Sequence, residues 1–212
     1  MGMLTFRALA QPLAGQIRPP GSMTTSCLAL TAASLADGMS TLRGLSLGQA
    51  SRHMLDNLAT LIGPFMLDAP ARRVTIRGTG AFIRAEQADL YCGHSPLVLC
   101  LTAAVCAAGY GRYRIDGSAR LRRESVAPLV RALKDLGVQT ACEQLEGHPP
   151  IMLAGTGLRG GTISLQNQPA PHVVSALLLV APCAGGDVFV ELPAASDTCL
   201  LYTSPSPRDL ST

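Results

Sequence analysis

The chain contains no tryptophan and only four tyrosines and four phenylalanines in 212 residues, so its core has to be built from Ala, Leu and Val. Lys134 is the only lysine. Arginine therefore carries nearly all the positive charge, which reflects a GC-rich gene more than phosphate recognition. Charged residues make up 15% and the net charge is +3, spread along the chain without a basic stripe or interleaved aromatics. That pattern excludes a nucleic-acid partner from expectation. The longest apolar runs, Pro96 to Gly109 and Val173 to Ala184, are too short to span a bilayer, so no membrane partner is expected either. Gln11, Pro12 and Gln16 interrupt any signal-like apolar stretch at the N-terminus, and a cytoplasmic location is expected. The seven cysteines form no C-x-x-C pair and have no histidine at ligand spacing. Cys27, Cys100, Cys106 and Cys183 fall in apolar stretches and read as small core residues.

Hydrophobic residues nevertheless amount to 48%, enough for a sizeable core. They are arranged in a repeat. Ser22 to Gly38 reads as a small-residue helix ending at Asp37-Gly38, followed by a strand-like Ser40 to Gly44. Ser95 to Gly109 leads in the same way into Arg112 to Gly117, and Pro171 to Gly186 into Asp187 to Leu192. After the first two strands comes an amphipathic helix, with stripes Met54, Leu55, Leu58, Leu61, Ile62 and Val126, Leu129, Val130, Leu133, Leu136. Strands at Val74 to Gly80 and Ile151 to Gly157 follow. The fold class expected is α/β, made of strand-helix-strand-helix-strand units. The first helix of each unit is apolar nearly all round, as a helix enclosed by sheets and outer helices must be. The third unit lacks its amphipathic helix. In its place, residues 199–212 resemble the translation of a transposase-based sequencing adaptor. Residues 1–198 are accordingly expected to be one domain with an N-terminal strand, and residues 199–212 a non-native tail.

The segment Arg18 to Leu30, RPPGSMTTSCLAL, carries the most information. A Pro20-Gly21 turn delivers the chain to Ser22, Thr24, Thr25 and Ser26 at a helix start, where unpaired N–H groups and the dipole suit an anion. This frame resembles the opening motif of the enolpyruvyl transferase family, and within it the 5-enolpyruvylshikimate-3-phosphate synthases. The resemblance covers Leu4 to about Leu192, roughly the first half of a family member. It implies two facing domains of three repeats each, a monomer at full length, and no metal or organic cofactor. It further implies small anionic substrates: the enolpyruvyl group of phosphoenolpyruvate would pass to shikimate-3-phosphate, in aromatic amino-acid biosynthesis. In that reaction a hydroxyl adds to carbon 2 of phosphoenolpyruvate and phosphate then leaves.

The family's site residues can be carried over position by position. The Lys-Ser pair of the first helix aligns with Met23 and Thr24, and the arginine that follows it with Leu28. The family's Gly-Asn-[Ser/Ala]-Gly-Thr-x-x-Arg aligns with Gly93 to Cys100, where His94 and Ser95 are candidate ligands and Cys100 replaces the arginine. Asp116 to Arg122 matches Asp-Gly-x-x-Arg-Met-[Arg/Lys], so Arg120 aligns with the arginine that grips the phosphate of phosphoenolpyruvate. Arg120 reads equally as part of a solvated basic turn, and His94 more readily as a helix cap than as an acid or base. In the third helix the family's Ser-Ser-Gln aligns with Ala170-Pro171-His172, leaving His172 as a candidate hydrogen-bonding group. The catalytic lysine position is thus Met23, and the site is expected to be degenerate. Alternatives are a diverged paralogue acting on a less anionic substrate and a non-catalytic binding or regulatory relative. The related transferase acting on UDP-N-acetylglucosamine fits less well, because its loop with a reactive cysteine has no counterpart around residues 111–122.

Overall fold

A computed structural model describes residues 20–165 and 169–193. The expected N-terminal strand and the tail at 199–212 lie outside the described residues.

The first repeat begins where Ser22, in an extended conformation, caps helix α1 (Met23–Leu35): its hydroxyl accepts from the Thr25 N–H at 3.3 Å. Strand β1 (Asp37–Arg43) follows at once, and then the outer helix α2 (Gln49–Ile62). The five stripe residues of α2 are all buried. Strands β2 (Met66–Asp68) and β3 (Arg73–Thr79) complete the unit, in a three-stranded antiparallel sheet of order β1-β3-β2.

The second repeat runs β4 (Gln87–Tyr91), α3 (Pro96–Ala108), β5 (Arg112–Asp116), α4 (Ala127–Asp135), β6 (Gln139–Cys142) and β7 (Ile151–Ala154). Its sheet has the order β4-β5-β7-β6, with β4 and β5 parallel across the α3 crossover and the other pairs antiparallel. The third repeat supplies β8 (Gly161–Ser164), α5 (Pro171–Val180) and β9 (Val188–Glu191), again a parallel pair joined through a buried helix.

Three boundaries differ from the sequence expectation. Helix α1 ends at Leu35 and the strand starts at Asp37, because Gly38, at φ +96°, takes its place inside the ladder opposite Gly78. Helix α5 stops at Val180 rather than Gly186: Pro182 cannot donate to a helical ladder, and Ala181–Cys183 form a single 3-10 turn. Each outer helix is followed by two strands, not one. The short β2 and β6 leave no readable pattern in the sequence, because three or four residues carry too little alternation.

Helix α3 is the centre of the molecule. Every residue from Leu97 to Ala108 is buried, and the helix packs against both α1 and α5. The helices share one polarity. The carbonyls of Leu35 and Ala36 at the end of α1 accept from Ala81 and Gly80, and that of Leu61 near the end of α2 accepts from Arg84 and Ala85. Gly109, just past α3, lies so close to Ile83 that a Cβ there would stand 2.7 Å from its side chain. The helix starts are therefore gathered at the opposite end, and that end carries every candidate site residue.

Candidate functional site

At the α1 start, Met23 is 39% exposed, Thr24 is half-buried and Leu28 packs against the core. Ser26 fixes this turn to the next loop: its hydroxyl donates to the Ser22 carbonyl at 2.7 Å and accepts from the Ser46 N–H at 2.9 Å. None of these side chains carries charge.

At the α3 start, Gly93 adopts φ +59°, and Ser95 caps the helix by accepting from the Val98 N–H at 3.3 Å. Pro96 sits in the first turn, where its missing N–H is not needed. Ser95 is thus spent on capping. His94 is exposed and its Nδ1 lies 2.6 Å from the Ser118 hydroxyl. The Ser118 N–H donates to the Gly93 carbonyl at 2.9 Å and the Cys92 N–H to the Asp116 carbonyl at 2.8 Å. These bonds lay residues 92–95 alongside residues 116–118, so His94, Ser95 and the loop holding Arg120 form one surface.

Arg120 itself is exposed and makes no ion pair with another described residue. Two of its basic neighbours are occupied, while the exposed Arg123, like Arg120, makes no ion pair with another described residue. Arg122 donates from Nε and Nη2 to the two Asp116 oxygens at 2.9 and 2.5 Å, while Arg114 reaches Asp116 at 3.3 Å and Glu143 at 2.6 Å. Burial alone would raise the Asp116 pKa, but the hydrogen bonds from Arg122 and the Gly117 N–H, with the charge of Arg114, hold it below the ordinary carboxylate range. Because the folded-state value is depressed, the stabilisation is complete above about pH 5 and is lost as pH falls through the folded value. A melting-temperature series is therefore expected to fall less steeply below about pH 4 for Asp116→Asn than for the unmodified chain. Equal slopes would show that Asp116 does not hold the loop.

His172, in the first turn of α5, is half-buried. Burial lowers its pKa, partly opposed by the charge of Glu124. Cys100 is wholly enclosed within α3, and burial pushes its thiol far up. Cys92 is likewise pushed up to about 12, so neither is a thiolate at neutral pH.

The structure also contains a site feature that the sequence pattern passed over. His53, on α2, lies directly under Gly93: a Cβ on Gly93 would stand 2.6 Å from its Cδ2. The ring meets Tyr91 edge-on at 5.3 Å, and its Nε2 is buried without a hydrogen-bond partner among the described residues. His53 falls beside the apolar stripe of α2, and the helical period alone gives it no role.

Comparisons with known proteins bear on the family and the fold. The family model for EPSP synthase (3-phosphoshikimate 1-carboxyvinyltransferase) matches residues 8–199. The 3-phosphoshikimate 1-carboxyvinyltransferase of Vibrio atlanticus is 30% identical over 193 residues, which are 91% of this chain and 45% of that protein. The enzyme of the same name from Psychromonas ingrahamii is 34% identical over 190 residues, 87% of this chain and 44% of that protein. The solved EPSP synthase of Acinetobacter baumannii superposes with a TM-score of 0.75 at 24% identity, over 86% of this chain and 41% of that one, which is a likeness of fold. The chain spans about 45% of the length of the curated relatives it matches.

Proposed function

The chain belongs to the EPSP synthase family, and on that premise we propose that it is the first domain of an enolpyruvyl transferase-like protein whose site keeps a phosphate-binding arginine but has lost most other charge. The supporting observation is the contrast between Arg120, which aligns with the family's phosphate ligand, and the two paired arginines beside it. Arg114 and Arg122 are neutralised by Asp116 and Glu143, whereas Arg120 stands exposed beside the loop of His94 and Ser95 with no such partner among the described residues. An arginine so placed suits a phosphate, which it can meet with two parallel hydrogen bonds. In this reading Arg120 holds the phosphate of phosphoenolpyruvate. The positive helix starts add to the attraction, and the acceptor hydroxyl adds to carbon 2 before phosphate leaves.

The apolar Met23 and Leu28 favour a second reading of the acceptor: a cyclic alcohol with fewer charges than shikimate-3-phosphate. The two are distinguished by titrating the chain with shikimate and with shikimate-3-phosphate in the presence of phosphoenolpyruvate.

The primary test is calorimetric titration with phosphoenolpyruvate. Millimolar binding is expected, weakened at least about tenfold in Arg120→Gln, since a hydrogen bond to a charged group contributes roughly 1.5–3 kcal/mol. Submillimolar binding would overturn the degenerate site. Binding unaffected by Arg120→Gln would remove Arg120 from it.

A further inference from the structure

A second concentration of positive charge, made of other residues than the Arg120 loop, lies at the end of the β1-β3-β2 sheet. Arg43 and Arg73 are directly opposed across β1 and β3, and Arg72 precedes Arg73 in the turn between β2 and β3. Like charges facing each other on adjacent strands are unfavourable unless something offsets them. One carboxylate is at hand. Asp68 receives Arg73 Nη2 at 2.8 Å and the Ala71 N–H at 3.1 Å, so both its oxygens are engaged. Arg43 and Arg72 make no ion pair with another described residue, leaving two positive charges in excess. The three arginines line one cavity of about 620 Å³, together with Gly21 and Gly44.

The backbone around this cavity is fixed. The Arg72 carbonyl accepts from the Leu45 N–H at 3.2 Å, and Arg72 itself is held at φ +48°. Gly21 approaches the β1 end so closely that a Cβ would stand 2.1 Å from the Gly44 carbonyl oxygen. The cavity thus abuts the turn leading into α1, immediately before the Met23 position.

We propose that this cavity binds a small phosphate-bearing anion, with Arg43 and Arg72 as the principal ligands and Arg73 held in place by Asp68. Unpaired guanidinium groups converging on one space are suited to the bidentate recognition of phosphate. A volume of about 620 Å³ exceeds what inorganic phosphate fills and falls in the range of small-molecule sites, which points to a phosphate monoester with an organic body. The inference does not depend on which reaction the Arg120 loop serves.

The test is a titration of the full chain with inorganic phosphate, and then with glycerol 3-phosphate, followed by amide chemical shifts in two-dimensional NMR. Saturating shifts at Gly44 and Ala71 are expected, with glycerol 3-phosphate binding more tightly. In the double variant Arg43→Gln/Arg72→Gln the affinity is expected to fall at least about tenfold. Arg120→Gln is expected to leave it unchanged. Both substituted side chains are exposed, so the double variant should melt no lower than the parent; should it fail to fold, the single variant Arg72→Gln carries the same reading. Shifts confined to residues 93–122 would overturn this site while leaving the Arg120 reading intact. Absence of saturation at tens of millimolar phosphate, or undiminished binding in the double variant, would overturn it as well.

Discussion

Replacing Cys100 with arginine, the residue the family resemblance aligns with it, is expected to lower stability by about 3–5 kcal/mol rather than to restore the site. Cys100 has no exposed surface and is flanked along α3 by buried Leu97, Val98, Leu99, Leu101 and Ala104. A guanidinium there would lose its hydration with no carboxylate to receive it, and the effective cost of burying an unpaired ion is several kcal/mol. Domains of this size are stable by only about 5–15 kcal/mol, so the loss removes a large share of the total. The urea midpoint measures it. Met23→Lys is the informative contrast: Met23 is 39% exposed in the first turn of α1, and the substitution is expected to change stability by no more than about 0.5 kcal/mol while tightening phosphoenolpyruvate binding. If Cys100→Arg were as stable as the parent, the arginine would have found a route to solvent, and the site would be more open than described.

Gly93→Ala is the second substitution with a large expected effect, about 2–5 kcal/mol. Part is conformational: at φ +59° a side chain costs roughly 1–2 kcal/mol that glycine does not. The rest is steric, because the new methyl would collide with the His53 ring and force it from its place against Tyr91, a strain on the order of 1–3 kcal/mol. The steric part is separable. Adding His53→Ala makes room for the methyl, so the double variant is expected to recover more stability than the two single effects predict by addition. Strict additivity would show that the loop, and not the imidazole, yields to the methyl group.

Periodicity made the architecture legible. The all-round apolar runs of α1, α3 and α5 and the stripes of α2 and α4 identify enclosed and outer helices without any structure, and burial agrees at each stripe residue. Short edge strands such as β2 were not legible, since three residues carry no period. The candidate site divides along a similar line. Met23, Thr24, His94, Ser95 and His172 were singled out by the resemblance at helix starts, and Arg120 by the resemblance of the turn after β5. What each one does was not legible. Whether Arg120 is free depends on Arg122 and Arg114 finding Asp116 and Glu143, and Glu143 is 29 residues from Arg114. The opposition of Arg43 to Arg73 depends on strand register across 30 residues, which no local pattern records.

The central position of α3 also bears on how the molecule opens. A helix buried from Leu97 to Ala108 between α1 and α5 cannot expose its amides by fraying or by loosening one neighbour. Its exchange with solvent requires the cooperative opening of the whole domain. The loop of Gly93 to Ser95 is anchored to the first turn of this slowest-opening element and stitched to residues 116–118. A ligand arriving there meets a preassembled surface, and the ordering cost that flexible sites impose on each binding event was already met when the chain folded.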